Sequence, residues 1–250
     1  MTIEIKLTTS ELNTMFVLLS ARSVAGLPDH PLLPQNGQRA EDLFEQGFNS
    51  LVQRGWIKAE GRKFNSNHEL FLYLTALVQA KATIEVTRGF QQNAKSVTYY
   101  FSKNSIIEQY LRVDNLYCIT PFETLALVTS RMENLFKLKL KNELDLSVSA
   151  PEQAFQSALK QAKLNNIKPL TELLGDSPAA LSLSGAKPIG MIKFSQDTRA
   201  DLTVINEFAL VHHREKNDLF SVQKQAESVR IRSISQQTFG QLIQEILKVD

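Results

Sequence analysis

Two adjacent histidines, His212 and His213, are the residues of this sequence that most suggest chemistry. They stand beside Arg214 and Glu215 in the segment EFALVHHREKNDLFSV, residues 207–222. Histidines next to charged residues occur in acid–base sites and in metal sites. This segment, however, has the composition of a β-strand, and neighbouring residues of a strand point to opposite faces of a sheet. We therefore predict that the two imidazoles do not converge on one metal ion or substrate.

The other residues with reactive or metal-binding side chains also lack partners at a suitable spacing. His30 and His68 lie in separate segments, and the single cysteine, Cys118, cannot supply a thiolate cluster or an internal disulfide. The glycines of SLSGAKPIG match neither phosphate-loop pattern, and Ser182 and Ser184 stand in no nucleophile elbow. We expect no catalytic residue, no metal site and no cofactor.

Composition is that of an ordinary globular protein. The chain has 250 residues, of which 43% are hydrophobic, and 28 Lys and Arg residues face 26 Asp and Glu residues. This near balance is unlike the strongly basic composition of a dedicated nucleic-acid binder. The start, MTIEIKLTTSEL, carries charges and no long apolar run, and no later apolar run has the length of a membrane span. These features, with the single cysteine, predict a soluble cytosolic protein.

Helices are predicted in the first 80 residues. Thr8 and Glu11 form a capping box at the start of the first helix. A second helix has apolar spacing from Ala40 to Val52, and Gly55 stands where its C-terminal cap is expected. A third helix is predicted after Asn67. Its apolar stripe would comprise Phe71, Leu74 and Val78.

The period then changes from helical to alternating. Four short runs rich in β-branched and aromatic residues follow one another: ATIEVTRGF, SVTYYFSK, SIIEQYLR and LYCIT. Their spacing predicts a meander of antiparallel strands. The next segment, TPFETLALVTSRMENLF, predicts a helix capped by Thr120, with Pro121 in its first turn and Glu123 completing the box. Its buried face would comprise Phe122, Leu125, Val128 and Met132.

The end of the chain repeats this plan. DLTVINEFALVHHRE, DLFSVQKQ and SVRIRSI have strand patterns, and SQQTFGQLIQEIL predicts a helix capped by Ser235. Placing Thr120 over Ser235 also places Ile119 over Ile234, so two related halves are predicted. Between them, one strand and two or three helices are expected. The predicted fold is α+β and mainly antiparallel, with halves 1–140 and 141–250 in one compact unit and a boundary near 141–150.

A DNA-binding alternative rests on the first 65 residues. Two amphipathic helices followed by LVQRGWIKAEGRKF resemble a winged helix, with Gly61, Arg62 and Lys63 at the tip of the wing. The candidate recognition helix, however, carries outward acidic residues that would repel phosphates: Glu41, Asp42 and Glu45. A solvated helix beside a basic turn explains the same pattern. A DNA-binding transcriptional regulator therefore stays as the alternative function.

Three segments carry a resemblance to a known family. They are LTTSELNTMFVLL at the start, LVQRGWIKAEGR at 51–62, and LTVINEFALVHHREKNDLFSVQ followed by VRIRSISQQTFGQLIQEIL at the end. In apolar spacing and in the order of helices and strands, nearly the whole chain resembles the EspG family, the cytosolic chaperones of type VII (ESX) secretion systems. The resemblance implies two quasi-two-fold-related halves that share a central antiparallel sheet, with helical bundles beside it.

The same resemblance implies the function of a non-enzymatic chaperone or adaptor with a protein partner. Family members rich in Ala and Arg bind PE/PPE clients, whereas this chain is rich in Asn, Gln and Lys and its last long strand lacks a Trp-Tyr pair. We therefore expect either a different helical-hairpin secretion substrate or an entirely different protein partner. Nucleic acid and membrane insertion are not expected, and the protein is expected to be a monomer or a homodimer.

A partner-binding surface is predicted from the resemblance and from the helical insert, 151–184. In the family, the apolar tip of the client lies against the central sheet and the adjoining helical bundle, which implies Phe90 and the insert here. Pro169, Gly175 and Pro178 break the insert into short helices, which cannot easily bury every apolar side chain. We expect Leu170→Asp and Leu174→Asp to abolish partner binding without unfolding the protein. The predicted contact residues of the insert are Leu164, Ile167, Leu170, Leu173, Leu174 and Leu181.

Overall fold

The computed structural model of the protein describes residues 4–21, 24, 37–60, 63–89, 94–103, 105–138, 144–198 and 201–247. Capping residues and apolar stripes place its helices. They are α1 (Thr9–Leu18), α2 (Gly37–Gln53), α3 (His68–Val78), α4 (Leu125–Phe136), α5 (Glu152–Lys163), α6 (Lys168–Leu174), α7 (Ser177–Gly185) and α8 (Gln236–Leu247).

Strands occupy the β-branched and aromatic runs between these helices. They are β1 (Ile5–Leu7), β2 (Ile57–Glu60), β3 (Lys63–Ser66), β4 (Ala82–Arg88), β5 (Lys95–Phe101), β6 (Ile106–Leu111), β7 (Tyr117–Phe122), β8 (Ser147–Pro151), β9 (Lys187–Thr198), β10 (Asp201–His213), β11 (Asp218–Gln225) and β12 (Ser228–Ile234). The four predicted strands of the first meander correspond to β4–β7, and the predicted insert of one strand and helices corresponds to β8 and α5–α7.

Among the described residues, ten strands form one antiparallel sheet in the order β1-β7-β6-β5-β4-β9-β10-β11-β12-β8, and β2 and β3 form a separate hairpin. The order contains two four-strand meanders, β4–β7 and β9–β12. Each meander is followed in the chain by a helix, α4 or α8, and each gains one more strand at its outer side, β1 or β8. The α+β, antiparallel prediction is confirmed.

The chain divides into two compact units that each draw on several segments. The first comprises Met1–Glu85, Ser96–Leu125 and Ser195–Thr203, and the second comprises Val86–Lys95, Ala126–Phe194 and Val204–Asp250. The proposed halves 1–140 and 141–250 stay a prediction.

In the first unit, α1 and α2 pack closely because glycine stands at their contact. A Cβ at Gly47 would lie 2.3 Å from the carbonyl oxygen of Ser10. The capping box at Thr8 and Glu11 is present, and Gly55 has a positive φ of 73° after α2, both as predicted. These helices and α3 cover apolar residues of the strands, including Ile5, Leu7, Tyr100, Ile107, Tyr117 and Ile119.

A buried carboxylate joins α1 to α2 in this unit. Glu11 is fully buried, and Arg54 contacts both of its carboxylate oxygens, at 2.8 and 2.6 Å. The hydroxyl of Ser50 and the backbone N–H of Thr8 also donate to it, at 2.7 and 2.8 Å. Burial alone would raise the pKa of Glu11, but these hydrogen bonds and the Arg54 charge hold that pKa below its ordinary value.

In the second unit, the helical insert packs on the end of the sheet. Side chains of α5, α6 and α7 share a core with Phe220, Val229 and Ile231 of β11 and β12. Helix α4 buries Val128, Met132 and Phe136, whereas Phe122 and Leu125 of the predicted face are only partly buried.

The predicted cap of α4 is wrong. Thr120 and Pro121 belong to β7, where they pair with Glu108 and Ile107 of β6, and α4 begins only at Leu125. The proline at this position resembles a helix start, but the pairing with β6 continues through it. The predicted alignment of Thr120 with Ser235 is therefore out of register. At the start of α8, the backbone carbonyl of Ser235 accepts a hydrogen bond from the Phe239 N–H.

The apolar stripe of α3 also differs from the prediction. The helix follows Asn67 as predicted, and the Asn67 side chain caps it. The buried side chains are Leu70, Leu74 and Leu77, whereas Phe71 is 44% exposed. Because this helix is apolar on nearly all sides, periodicity alone could not identify its buried face.

Candidate partner-binding surface

Local sequence signals set the ends of the insert helices. Helix α6 has Pro169 in its first turn and ends at Gly175, whose φ of 67° lies in the left-handed region that glycine adopts most easily. Helix α7 starts at once, because the Asp176 carboxylate accepts a hydrogen bond from the Ala179 N–H at 2.9 Å and Pro178 occupies the first turn. The predicted short, broken helices are confirmed.

The predicted contact residues of the insert fall into two groups. Leu170 is fully buried and Leu174 is 4% exposed in the core of the second unit, and Ile167 and Leu173 pack against the same cluster. Leu164 and Leu181, by contrast, are 73% and 49% exposed.

This division corrects the expected effect of two substitutions. An aspartate at Leu170 or Leu174 would place a charge in the apolar core, which is strongly destabilising. The expectation that Leu170→Asp and Leu174→Asp leave the fold intact is therefore wrong. Participation of the six insert residues in partner binding stays a prediction. Phe90, the remaining predicted contact residue, lies outside the described residues.

The histidine pair lies at the end of β10 as predicted. His213 pairs with Asp218 of β11 and its ring lies against α7, where a Cβ at Gly185 would come within 2.7 Å of Nε2. Alternation along the strand directs His212 to the other face. Nε2 of His212 is buried and has no hydrogen-bond partner in the described part of the chain. The pKa of His212 lies below its ordinary value, mainly because the side chain is buried and secondly because His213 is close to it. The neutral imidazole is therefore the main form at pH 7.

Ser182 has a carboxylate partner that the sequence did not reveal. Its hydroxyl donates to Oδ2 of Asp218 at 2.5 Å, across 36 residues of sequence, and both side chains are buried. A serine that is fully buried and donates directly to a carboxylate cannot reach a substrate carbonyl. The pair fastens α7 to β11 instead.

Cys118 is buried in β7. Burial raises the pKa of its thiol, so the reactive thiolate form is disfavoured. Over the residues that the structure describes, no group of three His, Cys, Asp or Glu side chains is placed to hold a metal ion. Within the same residues, no helix is both long and apolar enough to cross a membrane.

The predicted wing is a hairpin in the structure. Strands β2 and β3 pair from Ile57 with Ser66 to Glu60 with Lys63, directly after α2. Glu41, Asp42 and Glu45 of α2 are exposed, as expected for that helix. Gly61, Arg62 and the side chain of Lys63 lie outside the described residues, so contact with DNA stays a prediction.

The whole chain is similar in fold to a solved secretion chaperone. Over 98% of this chain and 96% of the other, the structure superimposes with a TM-score of 0.65 and 14% sequence identity on EspG5, the type VII secretion system chaperone of Mycobacterium tuberculosis, solved in complex with a PE25–PPE41 dimer. No family model and no curated protein sequence matches the chain. The resemblance in fold that the sequence suggested is thereby confirmed: the protein has an EspG-like fold.

Proposed function

We propose that the protein is a non-enzymatic cytosolic chaperone or adaptor that binds a helical protein partner. The observation that carries this proposal is the similarity in fold, which extends over nearly all of both chains, to a chaperone solved together with the proteins it binds. The partner would be a helical-hairpin substrate of a type VII-like secretion system. Fold similarity alone does not transfer a function, so the contact surface is the part to test.

The exposed leucines of the insert support a partner-binding role. Leu164 ends α5 and Leu181 lies on α7, and both leave much of their side chain in solvent while neighbouring leucines form the core. Large exposed apolar side chains on helices are the usual anchors for an amphipathic partner helix. We place the partner on Leu164 and Leu181, with Phe90 as a further contact.

Binding to small helical-hairpin proteins encoded beside the gene tests the proposal. Each candidate is co-expressed with the chain, and the affinity of any purified complex is measured by calorimetry. Leu164→Asp and Leu181→Asp should weaken binding about tenfold or more, since a charge replaces an apolar anchor. Their thermal transitions should match that of the wild type.

Val113→Asp is the matched control. Val113 is 97% exposed in the turn between β6 and β7, so the same substitution there should change neither stability nor affinity. Wild-type affinity of the Leu164 and Leu181 variants would move the contact elsewhere on the protein. Failure of every helical partner to bind would reject the chaperone function. In that case, duplex-DNA binding that weakens in Arg62→Ala and Lys63→Ala would favour the regulator.

A further inference from the structure

Strand β8 is the last strand in the order of the sheet, so one of its sides has no neighbouring strand among the described residues. Two backbone hydrogen bonds, one beside each end of β8, establish its pairing with β12. The Ser233 N–H donates to the Leu146 carbonyl, and the Glu152 N–H donates to the Glu227 carbonyl, both at 2.9 Å. Backbone groups alternate between the two sides of a strand. The even-numbered residues of β8 therefore hydrogen-bond to β12.

The same alternation directs the backbone of Ser147 and Ser149 away from the sheet. Both serines are exposed. Pro151, which ends the strand, has no N–H to offer. Two N–H groups and two carbonyls thus face outward along this edge, which is the hydrogen-bonding pattern that an added strand requires.

Two arginines lie on the face of the sheet to which these serines point. Ser147 pairs with Arg232 and Ser149 pairs with Arg230, and directly paired residues of neighbouring strands share a face. Both arginines are half-buried. Since the serine side chains are small, they leave the guanidinium groups accessible from the edge of the sheet.

Arg230 has polar neighbours in the sheet. Its other neighbour in the sheet is Gln223, whose side-chain amide donates to Asn206 at 2.8 Å. No carboxylate of the described part of the chain forms an ion pair with Arg230. Arg232 has interactions of its own, so Arg230 is the arginine on which recognition of an acidic partner would depend.

We propose that the β8 edge binds an extended acidic segment of a partner protein as an eleventh strand. Its backbone would bond to Ser147 and Ser149, so the residues opposite these serines project on the face that carries Arg230 and Arg232. Carboxylates at alternate positions of the segment would then lie on the strand next to β8. That strand is two strand spacings from β12, about 9.6 Å at a spacing of about 4.8 Å. Long arginine and glutamate side chains can meet across that distance.

A second copy of the protein fits this edge less well. Two β8 strands that pair antiparallel are related by an axis perpendicular to the sheet, so the arginines of both copies would lie on one face. These arginines would lie on the two β12 strands with both β8 strands between them, and a second β8 (Ser147–Pro151) offers serines rather than carboxylates opposite Ser147 and Ser149. Charge complementarity therefore favours an acidic partner over self-association.

A peptide with glutamate and threonine in alternation, about ten residues long, serves as the probe. Its affinity is measured by fluorescence anisotropy at low salt, where surface electrostatics is least screened. Amide hydrogen exchange of Ser147 and Ser149 reports on the backbone bonds. We expect saturable binding below about 1 mM and slower exchange of both amides. Binding should weaken about tenfold in Arg230→Gln and about tenfold in Ser149→Pro, which removes one outward N–H.

The controls separate this mode from general charge attraction. Three control peptides should each bind at least about tenfold more weakly. They are a peptide of the same composition with its glutamates in one block, the alternating peptide with an N-methylated backbone, and a lysine–threonine peptide. Arg112→Gln, on an exposed turn, should leave affinity unchanged. Equal binding of the blocked peptide, no binding up to about 1 mM, or a dimer that Ser149→Pro dissociates would each overturn the proposal.

Discussion

The strands at the two ends of the sheet order, β1 and β8, have very different outer edges. In the first unit, Nη2 of Arg54 donates to the Lys6 carbonyl of β1 at 2.8 Å, and the same guanidinium is held by the buried Glu11. In the second unit, the outward groups of Ser147 and Ser149 on β8 have no such cap among the described residues. An exposed strand edge favours unwanted pairing, and proteins usually protect it. The side chains of Ile5 and Leu7 on β1 belong to the core of the first unit, and the uncapped β8 edge agrees with the proposal that a partner strand binds there.

The protection of β1 comes from several contacts that depend on one another. The guanidinium of Arg54 bonds both to Glu11 and to the Lys6 carbonyl, and Glu11 also accepts from Ser50 and from the Thr8 N–H at the start of α1. Such a network is worth more than its separate bonds, and losing one member leaves the others unsatisfied. Breaking the contact between α1 and α2 should therefore have the largest effect.

Gly47→Ala should destabilise the protein by about 3 kcal/mol. The new Cβ would lie 2.3 Å from both the Ser10 carbonyl oxygen and Thr14 Oγ1, so α1 and α2 would have to move apart. Urea unfolding measures the change. Gly240→Ala in α8 is the matched control: its Cβ would meet only Thr129 at 3.8 Å, so a gain of up to about 1 kcal/mol from helix propensity is expected. Equal behaviour of the two variants would refute the close contact.

Arg54→Met should cost about 2 kcal/mol, because it leaves the buried Glu11 without a cation and the β1 edge without its cap. The value lies below that of a fully buried pair since the Arg54 side chain is 37% exposed. Arg112→Met, which breaks an exposed pair with Asp114 at 3.1 Å, should cost less than about 0.5 kcal/mol. A similar loss in both variants would contradict the special role of Arg54.

The sequence predicted one end of this network and not the other. The capping box identified Glu11 from its spacing to Thr8, because helix capping is a local property. Its partner Arg54 lies 43 residues later, and no sequence pattern predicts an ion pair that forms only when two helices pack together. The strongest interaction of the first unit was therefore hidden, although one of its two residues had been identified.

Local signals also failed where tertiary contacts overrode them. Thr120 and Pro121 have the spacing of a helix cap, yet the pairing with β6 continues through them. In the insert, the breaks at Pro169 and Gly175 were predictable, whereas the division between buried Leu170 and exposed Leu164 was not. In a helix of two turns, the buried side depends on which neighbour covers it. Fold class and most of the element order were thus predictable, whereas β1, β9 and the surface were not.

Acid should remove part of the protection of β1. The folded-state pKa of Glu11 lies below its unfolded value of about 4.3, so its contribution is full above that pH and is lost as the pH falls through the folded-state pKa. The difference in unfolding free energy between wild type and Glu11→Gln should therefore shrink as the pH falls from 6 to 3. Chemical denaturation at both pH values measures it. A constant difference would show that the network does not depend on the carboxylate charge.

Ser149→Pro in β8 should give the smallest effect, and Val148→Pro is its comparison at the neighbouring position. Ser149→Pro removes an N–H that points away from β12, and the residue before it, Val148, already has the extended backbone that proline requires of its predecessor. The expected cost is less than about 0.5 kcal/mol. Val148→Pro removes an N–H that faces β12 and should cost about 3 kcal/mol. Urea unfolding of the two variants compares neighbouring positions with the same substitution. If Ser149→Pro costs as much as Val148→Pro, the outer edge of β8 already has a hydrogen-bond partner, and the contrast with β1 disappears.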